Sequence, residues 1–166
     1  RRVTDTGMRL ALLRPALAVA GPLVALDLLS KWYMFAHVVP DQGTILTITG
    51  FFNLRRVWNT GVSFGLFGGG TPAWLLVLLA LAIAGLLVYW LLTARTRRAA
   101  LAIGAVLGGA IGNVWDRIAF GAVRDFLDFH AFGYHWPAFN LADAAITLGV
   151  IALLIDSLFD RREAAT

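Results

Sequence analysis

The chain has 166 residues, 59% of them apolar and only 14% charged, with a mean hydropathy of +0.75. Soluble domains hold about 45–50% apolar residues, so this composition specifies an integral membrane protein. The pI near 10.3 does not imply nucleic acid, because the arginines gather at the ends of apolar runs and form no basic patch with interleaved aromatics, and the lack of cysteine excludes thiol catalysis, disulfides and Cys-type metal sites.

Arg1, Arg2, Arg9 and Arg14 precede an apolar run from Pro15 to about Met34. Ala18-Val19-Ala20 offers a cleavage-like triplet, but the run continues past it, so the stretch reads as a first transmembrane helix, about 15–34. Asp27 and Lys31 lie four residues apart near its far end and can pair on one helix face. That pair either fixes the helix end at the interface or supports a nearby site. Residues 35–71 do not span. TILTIT (44–49) and FFNLRRVWN (51–59) are β-branched and aromatic, punctuated by Gly43 and Gly50, and predict a small sheet against the membrane surface. In NTGVSFG (59–65), Gly61 and Gly65 permit unusual backbone angles while Asn59 and Ser63 offer hydrogen bonds, a pattern equally compatible with a simple turn. Gly68-Gly69-Gly70 reads as a connector.

Thr71 as N-cap and Pro72 as first helical residue open a second span, about 72–92. Tyr89 is its one ionisable side chain, so this span reads as structural. A basic loop with Arg95, Arg97 and Arg98 leads to a third span, about 99–118, where Gly104, Gly108 and Gly112 recur every fourth position and allow close helix packing. Asn113, Asp116 and Arg117 end that span, with Arg117 expected to be held by Asp116. Residues 119–139 carry Phe126, Phe129, Phe132, Tyr134, Trp136 and Phe139 and read as an aromatic interfacial segment. A fourth span, about 140–159, begins with Asn140 and Asp143, and Arg161 and Arg162 follow it. The expected fold is one all-α membrane domain over 1–166, with four transmembrane helices, a small extracytoplasmic sheet and an aromatic segment.

Basic residues cluster before the first span, between the second and third, and after the fourth. Both termini are therefore expected in the cytoplasm, with the two larger segments outside. The polar residues from different elements then share one depth, at the outer face.

Nucleophiles are few. Among the serines only Ser63 shares a side with His130 and His135, and no Gly-x-Ser-x-Gly surrounds it. The two histidines are five apart, no HExxH occurs, and no metal is expected. The histidines read as interfacial hydrogen-bonding groups. Aspartates remain. Asp125 and Asp143, brought within about 3 Å, can share one proton, the ionised partner activating water and the protonated one polarising an amide carbonyl. The same residues can instead cap helices or pair with Arg117 or Arg124.

Five blocks in order resemble the bacterial signal peptidase II family: Asp27 with Lys31, Asn59 to Gly65, GGAIGNVWDR (108–117), VRDF (123–126) and PAFNLAD (137–143). The resemblance covers the whole chain. It implies an aspartyl endopeptidase with catalytic Asp125 and Asp143, needing no cofactor. Its substrate would be a prolipoprotein carrying a diacylglyceryl group on the cysteine after the signal peptide, cut just before that cysteine. The family is the target of the cyclic peptide globomycin. In that setting Asn59, Gly61, Asn113, Arg117 and Asn140 would bind or orient the peptide, and Asp27, Lys31 and Asp116 would support the site. The expected partners are this substrate, membrane lipid and globomycin-type inhibitors, with no nucleic acid and a monomeric chain. A proton-coupled transporter and a non-catalytic scaffold are the rival classes. Acids on one side only, and no internal repeat, argue against the transporter, and the Gly-x-Gly-Asp tetrad of another intramembrane aspartyl type is absent.

Overall fold

The computed structural model of the chain describes residues 2–61, 72–94 and 96–163, the side chains at its two outermost helical ends excepted. Ser63 and the rest of the 62–65 turn, the triple-glycine connector, Thr71 and Arg95 lie outside the described residues.

Among the described residues, four helices are long and apolar enough to cross a membrane. They are α1 (Arg2–Tyr33), α2 (Ala73–Thr93), α3 (Arg97–Phe120) and α4 (Leu141–Glu163). Helix α1 starts well before the apolar run and continues past Tyr33 into a π-helical turn, Met34–Val38. Pro72 is the N-cap of α2 and not its first helical residue, a one-position difference of the kind helix ends commonly show. Helix α3 begins on Thr96, whose hydroxyl accepts the Ala99 N–H at 3.0 Å. It stops at Gly121, where φ of 72° lets the chain reverse and its N–H close on the Arg117 carbonyl.

Helix α3 is the hub. It packs against α1, α2 and α4 and carries half of the buried positions described in the four helices, whereas α2 buries only Leu87 and Leu91. The glycine spacing explains the central place. A Cβ at Gly104 would strike the backbone of Ala16 on α1, and one at Gly109 would strike the Ala142 carbonyl on α4. With no hydrophobic drive between helices in lipid, such close approach supplies the packing energy.

The predicted sheet is present and larger than expected. Strands β1 (Ile45–Thr49) and β2 (Phe52–Asn59) match the two β-rich stretches, and β3 (Val123–Ala131) and β4 (Tyr134–His135) extend them in the antiparallel order β1-β2-β3-β4. The 119–139 segment, expected as an aromatic interfacial belt, is therefore partly sheet. Its Phe126 is buried in the interior, while Phe132, Tyr134 and Trp136 face outward. Phe132 and Gly133 both have positive φ, the backbone of a type I′ hairpin turn. Arg56 ties the sheet to the end of α1: its guanidinium lies over the rings of Phe35 and Trp58 and donates to the carbonyls of Phe35 and Pro40.

Candidate active site

The site forms where the helical bundle meets β2 and β3. Strand pairing sets Val57 opposite Asp125 and Asn59 opposite Val123, which brings the end of β2 alongside the start of β3. Asp125 is fully buried. Its carboxylate accepts from two side-chain amides, Asn59 Nδ2 at 2.9 Å and Asn140 Nδ2 at 2.6 Å. The Asn59 amide is itself locked, because its Oδ1 accepts the Gly61 N–H at 2.9 Å. Gly61 has φ of 105°, a backbone that a side chain would strain.

Asp143 stands in the first turn of α4. Asn140 caps that helix: its Oδ1 accepts the Asp143 N–H at 3.0 Å, and Asp143 Oδ2 accepts the Asn140 N–H at 3.2 Å. The reciprocal bonds form a capping box. The other carboxylate oxygen accepts from Asn113 Nδ2 at 2.7 Å. Asn140 thus bonds both aspartates, and its amide also donates to Asn113 Oδ1 at 3.2 Å.

Burial first, and the charge of Asp143 second, push the Asp125 carboxyl up to about 7, against the pull of the Asn59 and Asn140 amides. No arginine or lysine lies within ion-pair distance of Asp125 or Asp143 among the described residues. Asp125 is therefore poised to hold a proton near neutral pH, a state suited to general acid–base chemistry.

Beneath the pair lies a second polar layer. Lys31 is fully buried and sits 2.6 Å from Asp27 and 3.5 Å from Asp116. Its Nζ also donates to Asn113 Oδ1 at 3.0 Å, which turns the amide so that Nδ2 faces Asp143. Asp27 Oδ1 accepts the N–H of Ala142 at 2.9 Å. Asp116 accepts the N–H of Arg124 at 2.9 Å and binds its guanidinium at 2.7 Å. Each buried carboxylate thus grips the backbone one residue before a candidate catalytic aspartate, and Lys31 joins the two grips. Gly112 makes room for this, since a Cβ there would collide with Asp27.

Asp116 does not hold Arg117, contrary to the sequence-based expectation. Consecutive helical residues face different ways, so Asp116 points inward to Lys31 and Arg124. Among the described residues, the Arg117 guanidinium donates only to the Asn113 carbonyl, at 3.4 Å. It lines a cavity of about 520 Å³ with Trp58, Asn59, Gly61, Leu76 and Asp125.

The profile of the family described as signal peptidase (SPase) II matches residues 19–159. The chain belongs to that family. A lipoprotein signal peptidase of Rhodopseudomonas palustris is 39% identical over 92% of this chain and 94% of its own. One from Nitrobacter hamburgensis is 42% identical over 87% and 92%. A bacterial membrane enzyme solved by the in meso method superposes with a TM-score of 0.76 at 30% identity, covering 88% of each chain. The chain is thus a transmembrane protease of the signal peptidase II family.

The structure brings together Asp27, Lys31, Asn59, Gly61, Asn113, Asp116, Asp125, Asn140 and Asp143, with Arg117 on the cavity wall. Sequence reasoning missed Asp128 and Asn53. Asp128 is buried and accepts from Asn53 Nδ2 at 3.2 Å and from His135 Nδ1 at 2.9 Å. Burial pushes its carboxyl up, but bonds from His135 and Asn53 outweigh that and hold it below the usual range. Asn53 faces Asp128 across the β2–β3 ladder, a relation that no local spacing encodes. His135 serves this carboxylate, and His130 stacks on its ring at 4.9 Å between centroids.

Proposed function

We propose that the chain is an aspartic endopeptidase that removes the signal peptide from diacylglyceryl-modified prolipoproteins, cutting just before the lipidated cysteine. The observation that carries this reading is Asn140, which bonds both Asp125 and Asp143 beside an open cavity. Asp125, fully buried, keeps the shared proton and donates to the oxygen of the scissile carbonyl. Asp143, half-buried, stays ionised and takes a proton from water as its oxygen attacks the carbonyl carbon. The proton then passes to the leaving amine as the C–N bond breaks. Asn59 and Asn113 fix the two carboxylates, and Arg117 is left to hold a substrate carbonyl.

A lipid-tailed substrate has to arrive through the bilayer, and a dyad at the end of four spans suits that route. The arginine distribution supports cytoplasmic termini and a site at the outer face of the bacterial inner membrane. Outward-facing Phe132, Tyr134 and Trp136 suit the interfacial zone there. A globomycin-type cyclic peptide would compete for the same cavity, and the mechanism needs one copy of the chain.

The test is release of signal peptide from a diacylglyceryl-modified prolipoprotein by purified protein, with Asp125→Asn and Asp143→Asn alongside. Both folded variants should lose activity by roughly 10²–10⁴-fold, the range of general acid–base catalysis. Near-full activity in either one would make that aspartate a cap and remove the dyad. A wild-type protein that leaves this substrate intact would overturn the substrate assignment.

A further inference from the structure

At the end of the bundle away from the sheet, a cavity of about 420 Å³ opens between α1 and α3, lined by Arg14, Arg97, Leu12, Pro15 and Ala18. Both arginines are exposed. Neither has an acidic side chain within ion-pair distance among the described residues. The one acid with a described side chain at this end, Asp156, is already engaged by Thr96 Oγ1 at 2.8 Å and Arg98 Nε at 2.9 Å. Among the described side chains, the Arg14–Arg97 pair therefore has no acidic counter-charge.

One residue further along each helix, at Val19 and Arg98, a second cavity of about 520 Å³ begins. It follows α3 and α4 past Leu101, Ala105, Leu148 and Ala152, and its lining is apolar except for Arg98 and Asp156. The residues lining the charged cavity and the apolar groove are thus sequence neighbours on both α1 and α3. The depth fits a lipid. Arg14 lies 17 residues before Lys31 on α1, about 25 Å at the helical rise, against a hydrocarbon core about 30 Å thick. With Lys31 near one membrane boundary, Arg14 and Arg97 stand at the headgroup level of the other.

We propose that Arg14 and Arg97 form a binding site for the phosphate of one anionic phospholipid, with an acyl chain in the groove between α3 and α4. Guanidinium groups suit this partner because they bind phosphate through paired N–H donors. Diffuse attraction of basic residues to an anionic leaflet would need no groove and no convergence of side chains from two helices. The site is remote from the aspartates and does not depend on the peptidase mechanism.

The experiment is thermal unfolding and native mass spectrometry of the full chain in neutral detergent, titrated with phosphatidylglycerol, phosphatidylcholine or inorganic phosphate. Phosphatidylglycerol should raise the midpoint and remain bound as one copy, and the other two should do neither. The double variant Arg14→Gln/Arg97→Gln should weaken phosphatidylglycerol binding by about tenfold or more. Ala152→Phe, which fills the groove and leaves both arginines in place, should weaken it as well. Equal binding of phosphatidylcholine, unchanged affinity in the double variant, or an equal response to inorganic phosphate would each overturn the proposal. The first two outcomes mean non-selective lipid contact, and the third means a simple anion site. Loss in the arginine variant with none in Ala152→Phe would overturn the acyl-chain half.

Discussion

The two ends of the helical bundle treat charge in opposite ways. At the sheet end, Asp27, Lys31, Asp116, Arg124 and Asp125 are all buried. Two carboxylates and two cations there neutralise one another within 3.5 Å, leaving Asp125 and Asp143 with amide partners only. At the far end Arg14, Arg97 and Arg98 are exposed, and among the described side chains there only Asp156 is drawn inward. Burying an ion costs several kcal/mol even after relaxation, so a chain does this where geometry must be held. The paired layer absorbs the charge needed to position backbone, and the layer above it leaves Asp125 and Asp143 without ion-pair partners among the described residues. The far end shows the contrast: charge left at the surface can meet water or lipid headgroups but fixes little of the fold.

The sharpest way to break this comparison is to remove the one cation that serves both grips. Lys31→Met leaves Asp27 and Asp116 facing each other with Arg124 as the only counter-charge. Stability should fall by about 3–5 kcal/mol, the usual consequence of orphaning a buried charge. Thermal and denaturant unfolding in detergent would read it. Adding Asp27→Asn to Lys31→Met should recover part of the loss, because the amide oxygen can still accept the Ala142 N–H. Additive losses in the double variant would mean that the two residues act independently.

Much of this layout is written in the sequence, and the missing part has a physical reason. The four spans were legible because 20-residue apolar runs have few other uses. The glycine spacing on α3 and the Asp27–Lys31 pair were legible because helical neighbours recur at fixed intervals. The β-rich stretches gave β1 and β2. Strand β3 was not read, because Phe126, Phe129, Phe132 and the later aromatics suit an interface as well as a strand. Arg124 as the partner of Asp116, and Asn53 as the partner of Asp128, depend on contacts that only the assembled bundle and sheet create. The same holds for Lys31 turning Asn113. Residue identities named a candidate site, and tertiary contacts show which of its residues hold which.

The sheet end should also respond to pH. With its carboxyl raised from 3.8 to about 7, Asp125 binds a proton in the folded state that the unfolded chain has released. Its contribution to stability is therefore complete at pH below its unfolded value and is lost as pH rises through about 7. On the proposed mechanism, the single shared proton disappears over the same interval. Under the dyad reading, kcat/KM should fall by about tenfold per pH unit above roughly pH 7. Asp128 will not obscure this limb, since its depressed carboxyl stays ionised throughout. A rate that is flat from pH 6 to 9 would show that Asp125 is not the proton holder.

The smallest effect belongs to the far end. Asp156→Asn removes the charge that meets Arg98 but keeps an oxygen for the Thr96 hydroxyl. Arg98 is 65% exposed, so solvent screens the pair and its net worth is about 0–1 kcal/mol. Thermal unfolding should shift little, and cleavage should be unaffected, because no bond from Asp156 leads toward the aspartates. The result sharpens the contrast with Lys31, since both changes remove a buried charge from the same bundle. If Asp156→Asn destabilised the protein as strongly as Lys31→Met, the far end would be a second structural knot, and the division between an end with buried, paired charge and an end with exposed charge would fail.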